Sequence, residues 1–232
     1  MKNYTPMSEL KNRTIAEIVS DDISTASIFK KYKLDFCCGG GKTVENACKT
    51  ANINVDDVVN DLLNNKSKND VPNLNFKDWS AEFLADYIVY VHHTYIKQNL
   101  GVISEFAEKV ANVHGQHEPR TIEIAKLFSN ISRELTSHMA KEEGILFPAI
   151  KAKEADYNFQ MDEKTLSLIE DEHEEVGTMI KKIQELSDNF TTPEWACNTF
   201  KALYFKLEEF TNDLFQHIHL ENNILFPKVK NL

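Results

Sequence analysis

Two stretches of the chain repeat one pattern at a fixed distance: His138-Met-Ala-Lys-Glu142-Glu-Gly-Ile-Leu-Phe147-Pro148 and His217-Ile-His-Leu-Glu221-Asn-Asn-Ile-Leu-Phe226-Pro227. The differences 217−138, 221−142, 226−147 and 227−148 all equal 79. In each copy a His and a Glu stand four residues apart, so on a helix they project from one face as neighbours. Each copy therefore offers one imidazole and one carboxylate to a common centre. A fold that honours this repeat must bring two helices of like register face to face.

The intervening sequence agrees. From Trp79 onward the apolar residues recur at helical spacing. Leu84, Ile88, Ile96, Leu100, Ile103 and Val110 mark a first long helix that ends before the loop at 113–119. A second starts near Thr121, carries Ile124, Phe128, Ile131 and Leu135 into His138, and stops around Lys153. A third carries Leu166, Ile169, His173, Val176, Ile180, Ile183 and Leu186. Thr192-Pro193 reads as an N-cap with proline at the first helical position of a fourth, which holds Leu203, Leu207, Phe210 and Leu214. Pro148 and Pro227 are expected to kink or end the last turns of the second and fourth helices. His93 on the first helix and His173 on the third are 80 residues apart, nearly the repeat distance. The expectation is an all-α chain whose larger part is a duplicated helical hairpin, an up-down four-helix bundle over 79–232.

Ahead of it, residues 1–65 read as a small helical domain, and the polar run 66–78 as a linker. Thr14-Ile-Ala-Glu17 is a capping box, Ser24 or Ser27 suits the start of a further helix, and Thr43 and Asn54 suit two more. Between them Asp35-Phe36-Cys37-Cys38-Gly39-Gly40-Gly41 interrupts the pattern as a turn.

A formal net charge of −10 argues against nucleic acid or an anionic membrane as the main partner. No apolar run reaches the length of a membrane span, and residues 1–6 lack the apolar core of a signal peptide. Four cysteines in 232 residues do not make a disulfide scaffold, so the expected setting is the reducing cytoplasm.

Placed on inward faces, His93, His138, Glu142, His173, His217 and Glu221 supply four imidazoles and two carboxylates. Buried carboxylates need a counter-charge, and no Lys or Arg occupies a matching position in both repeats. The set suits two metal ions with bridging carboxylates and terminal imidazoles. Spacing alone also admits zinc, copper or manganese. His92 competes with His93 for the helical position, although the repeat distance favours His93. His92 and His219 otherwise read as surface or supporting residues, and His114 and His117 as solvated loop residues. The Glu-x-x-His signature of ferritin-like centres occurs at Glu170–His173 but before no other candidate histidine.

Cys37 and Cys38 are adjacent, so a disulfide between them would be strained. Either one thiol is packing and the other incidental, or a thiol sits near the following helix N-terminus with a lowered pKa, as a ligand or redox group. Cys48 and Cys197 read as core positions.

The Asp-Phe-Cys-Cys-Gly-Gly turn in a short N-terminal domain, joined to the paired His-x-x-x-Glu-x-x-x-Leu-Phe-Pro motifs, resembles the repair-of-iron-centres (RIC) family over nearly the whole chain. The resemblance implies a ScdA_N-like domain followed by a hemerythrin-like bundle holding a non-haem di-iron centre with oxo and carboxylate bridges. The ligands would be His93, His138, His173 and His217, with Glu142 and Glu221 bridging. It implies a cytoplasmic stress-response protein, often a homodimer, that restores iron–sulfur clusters damaged by nitric oxide or peroxide. Its partners would be damaged iron–sulfur proteins, with NO or O₂ as small ligands, and Cys37 and Cys38 would assist. The expected role is iron donor rather than classical enzyme. Reduction of nitric oxide, or carriage or sensing of O₂ or NO, at the same centre remains the alternative. The chain departs from the family pattern in having three glycines after the cysteines and His92 before His93.

Overall fold

Helix signals decide nearly every element. The computed structural model describes residues 7–65, 74–156 and 163–231. Its α-helices in chain order are α1 (Met7–Asn12), α2 (Ile15–Asp21), α3 (Ala26–Lys31), α4 (Val44–Ala51), α5 (Val55–Asn65), α6 (Ala81–Ile88), α7 (Thr94–His114), α8 (Arg120–Lys141), α9 (Phe147–Ala155), α10 (Glu163–Leu186), α11 (Asn198–Leu220) and α12 (Phe226–Lys230). Among the described residues there is no strand beyond a single bridge between Thr14 and Thr43, so the chain is all-α. No helix there is long and apolar enough to cross a membrane.

By tertiary contact the chain divides into two units. One is Met1–Ser80 with Ile218–Asn231, and the other is Ala81–His217. In the first, the Thr14 capping box forms in full, and the Thr43 side chain accepts from the Asn46 N–H. Asn54 Oδ1 likewise accepts from the Asp56 N–H at the head of α5. The serines expected to open α3 do not. Asp22 caps the preceding 3₁₀ turn instead, its carboxylate accepting from Ser24 N–H and hydroxyl, because a charged acceptor there outcompetes a hydroxyl.

The glycine stretch is a turn held against α2, with Ala16 N–H donating to Gly40 O at 2.8 Å and Ile15 N–H to Lys42 O at 3.0 Å. A Cβ on Gly40 would lie 2.6 Å from Phe36 O, so this close approach requires glycine. Residues 66–73 of the expected linker lie outside the described residues. Its remainder contains Phe76, which is buried and edge-packed on Trp79 at 4.8 Å.

In the second unit α7 packs along α8, and α8 along α10. Phe128 on α8 meets Phe210 on α11 edge-on at 5.4 Å. The predicted apolar positions from Leu84 to Leu214 are buried, apart from Leu186, which is half-buried at the end of α10. The first long helix runs two residues further than expected, through Val113 and His114. Thr192-Pro193 does not start the fourth. Pro193 O accepts from Ala196 N–H in a separate turn, and α11 begins at Asn198.

Three helical runs are locally widened into π turns: Val89–His93, Glu142–Leu146 and Glu221–Leu225. In each, the next N–H reaches back five residues, from Thr94 to Val89 O, Phe147 to Glu142 O and Phe226 to Glu221 O. The last two repeat at the motif distance and stand just before Pro148 and Pro227. A proline ring would collide with the carbonyl four residues back in an α-helix, and the wider turn makes room for it. The helix therefore continues through Pro148 to Ala155 instead of ending.

Candidate metal centre

The first π turn brings both His92 and His93 into the interior of the second unit, and His138, Glu142, His173 and His217 are buried there too. Two groups that could hold a metal ion share Glu142. One contains His93 and His217, the other His138 and His173, with the ligand atoms of each group within 4.8 Å of one another. The two carboxylate oxygens divide between them. Oε2 lies 3.3 Å from His93 Nε2, while Oε1 lies 3.3 Å from His138 Nε2 and 4.0 Å from His173 Nε2. Glu221 stands one turn beyond His217 on the same helical run, opens the third π turn and is fully buried.

The histidines are oriented from behind. His93 Nδ1 lies 2.7 Å from Glu143 Oε1, which also accepts from Lys97 Nζ at 2.6 Å. His138 Nδ1 lies 2.9 Å from Glu172 Oε2, and Lys141 pairs with the other oxygen of Glu172. A carboxylate at Nδ1 fixes the proton there and leaves the Nε2 lone pair turned towards Glu142. For both Glu143 and Glu172 partial burial pushes the carboxyl pKa up. The hydrogen bonds from lysine and histidine outweigh it and hold each below the ordinary range. These supporting carboxylates escaped the sequence reading. The available signal was local, Glu143 being the residue after Glu142 and Glu172 the residue before His173.

His92 and His219 are buried, not on the surface. His92 Nδ1 meets Asp213 Oδ1 at 3.0 Å, and its ring stacks on His217 with centroids 5.8 Å apart. Stacking on a candidate ligand makes it a supporting residue, and His93 takes the position facing Glu142. His219 is held in the first unit between Phe36 O and Ser20 Oγ, and burial brings its pKa down to about 4. His117 is exposed, whereas His114 packs against Trp195 and Phe200. Phe147 is buried and stacks on His93 at 5.7 Å.

Cys37 and Cys38 belong to the first unit. Cys37 is buried, with its thiol 3.2 Å from Asp35 Oδ1, and Cys38 is half-exposed. The expected lowering of a thiol pKa fails for Cys37. Its hydrogen bond with Cys38, its burial and the Asp35 charge all push it well above the usual thiol value, and α4 begins only at Val44. Cys48 is in the core as expected. Cys197 is exposed, 3.3 Å from His114 Nε2, because α11 starts one residue later than the cysteine.

Imidazole Nε2 atoms arrayed about a buried carboxylate, with the far nitrogens of His93 and His138 tethered, make a set of nitrogen and oxygen donors that could hold metal. Fold and centre together define a hemerythrin-type helical bundle. Residues 84–229 match the hemerythrin HHE cation binding domain, and residues 11–66 match ScdA_N, described as a domain of unknown function. The chain is 38% identical over 223 residues to a probable iron-sulfur cluster repair protein of Haemophilus influenzae, covering 94% of this chain and 96% of that one. It is 34% identical over 223 residues to the iron-sulfur cluster repair protein YtfE of Yersinia pseudotuberculosis, covering 95% and 97%, and equally so to YtfE of Yersinia pestis. The chain belongs to this family of iron–sulfur cluster repair proteins.

Proposed function

We propose that the centre holds two non-haem iron ions, and that the protein uses them to restore damaged iron–sulfur clusters in other cytoplasmic proteins. His93 and His217 would serve one ion, His138 and His173 the other, with Glu142 and Glu221 bridging. The observation that carries this reading is the division of the Glu142 oxygens between two sets of histidines, which is what a bridging carboxylate requires. A single ion would leave one set of imidazoles idle. The named relatives support the repair role.

Bound iron supplies Lewis acidity, a one-electron couple and open coordination positions for a small ligand such as NO or O₂. The chain does the rest. Phe147 and the surrounding core keep bulk water from the imidazoles, while Glu143 and Glu172 hold His93 and His138 in the tautomer that presents Nε2. Glu142 and Glu221 would hold the ions through their carboxylates, and iron would be the cargo passed to an acceptor. Cys37 and Cys38 would assist the handover.

Metal analysis with Mössbauer spectroscopy should find two coupled irons per chain, and a single zinc would overturn the assignment. Incubation of loaded protein with an apo or nitric-oxide-damaged cluster enzyme, without added iron, should restore that enzyme's activity. Replacing Cys37 and Cys38 by serine should leave iron content intact and slow restoration. Steady consumption of NO by the loaded protein with a reductant, without any transfer of iron, would point instead to a reductase.

A further inference from the structure

The two copies of the repeated motif differ in a way that the metal centre does not explain. Where the first copy has Ala140 and Gly144, the second has His219 and Asn223, two residues either side of Glu221. Both polar side chains are spent on the cysteine turn of the same unit. His219 Nδ1 donates to Phe36 O at 3.1 Å, and Asn223 Nδ2 donates to Cys37 O at 2.9 Å. With its proton on Nδ1, His219 accepts at Nε2 from the Ser20 hydroxyl at 3.2 Å, so both ring nitrogens are engaged. The Phe36 ring packs against the His219 ring at 6.0 Å. Two successive carbonyls of the turn are thus tied to one short stretch of helix. The opposite side of the turn is tied to α2 through Gly40.

The consequence falls on the thiols. With the carbonyls of Phe36 and Cys37 fixed, the Cys37 side chain is buried and hydrogen-bonded to Asp35, while Cys38 remains partly open to solvent. We propose that His219 and Asn223 are positioning residues that clamp the cysteine turn, holding Cys37 inward as a buried thiol and presenting Cys38 as the thiol of the pair available to a soft metal or other thiophilic acceptor. The second motif copy has therefore taken on a task that the first does not perform. This inference rests on the proposed part of the cysteines in cluster repair for its purpose, but not for its geometry.

Native-state alkylation with iodoacetamide, followed by peptide mass spectrometry, reads the clamp without reference to repair. In the iron-loaded protein Cys38 should be modified at least about tenfold faster than Cys37, with Cys48 protected as a marker of the folded unit. His219→Ala, Asn223→Ala and the double variant should each raise Cys37 modification, the double by about tenfold or more, since each removes one hydrogen bond to a buried carbonyl. His219→Asn keeps a donor near the Nδ1 position and should restore protection of Cys37, which a merely space-filling role would not do. Three outcomes overturn the proposal: Cys37 as reactive as Cys38 in the parent protein, unchanged rates in the double variant, or Cys48 opening together with Cys37 in every variant, which would make these bonds general scaffold. If the labelling pattern holds and iron transfer fails, the repair reading falls and the clamp stands.

Discussion

Glu172 is not among the ligands proposed for the centre, yet its removal should weaken metal binding there by a calculable amount. Its Oε2 lies 2.9 Å from His138 Nδ1, and Lys141 neutralises the other oxygen. Glu172→Gln keeps an acceptor at that point but discards the charge. A charge-assisted hydrogen bond is worth roughly twice a neutral one, a difference of about 1–1.5 kcal/mol, or about tenfold in affinity. Glu172→Ala removes the acceptor as well, freeing the ring to rotate or change tautomer, and should approach the ~100-fold upper end for lost outer-sphere partners. Lys141, left behind, is partly exposed and solvates at little cost. Anaerobic competition with a graded series of ferrous chelators would measure the change. Glu134→Gln is the control, a carboxylate on α8, the helix of His138, that pairs at the surface with Arg133. Affinities of Glu172→Gln and Glu172→Ala within twofold of the parent, or an equal loss in Glu134→Gln, would refute the claim that the Nδ1 carboxylate tunes the imidazole.

Other expectations follow from the same geometry. Glu142→Ala should abolish stable occupancy of both halves of the centre, and a variant that still analyses for two irons per chain would remove Glu142 as the shared ligand. Asp213→Ala strands the buried His92 Nδ1 and should cost about 1–3 kcal/mol in denaturant unfolding, read as a lower midpoint at unchanged slope. Glu154 accepts from the N–H groups of Ala81 and Glu82 at 3.0 and 2.6 Å, capping α6 from α9, so Glu154→Ala should lower stability by about 1–2 kcal/mol. Tyr95 and Tyr204 are both pushed to about 12, chiefly by burial, with the Glu209 and Asp213 charges adding at Tyr95. A tyrosinate absorbance titration should therefore show a late fraction. Because the unfolded chain loses these protons first, near pH 10, the fold should lose stability as the pH rises from there towards 12, and not on the acid side.

The helices and their buried faces were legible because apolar period and capping chemistry act locally, as Thr14–Glu17 and the run from Ile124 to Leu135 show. The candidate ligands were legible for a different reason. Duplication wrote His138 and Glu142 a second time as His217 and Glu221, and repetition separates a site from chance. The residues that hold the centre in place were not repeated. Glu143, Glu172 and Asp213 are single charged residues on partly exposed positions, indistinguishable in sequence from solvated ones until the fold supplies the facing histidine. The burial of His92 and His219 was hidden for the same reason. Pro148 was read as a breaker because its sequence effect is known for an α-helix, and the π turn that accommodates it has no composition of its own. Thr192-Pro193 carried a true cap signature in the wrong place, since α11 starts only after a turn that the same proline closes.

Those π turns have a consequence for the chain's length as well as its chemistry. Each contains one residue more than an α-helix of the same rise needs, so it behaves as an insertion already absorbed. Removing one residue from Glu142–Leu146 would restore uniform α winding and leave the residues beyond it at nearly the same angle about the axis. What would be lost is the room for Pro148, whose ring would meet the carbonyl four residues back. The copies at 142–146 and 221–225 are thus length-locked: substitutions can accumulate within them, as at Gly144 and Asn223, while single-residue deletions cannot.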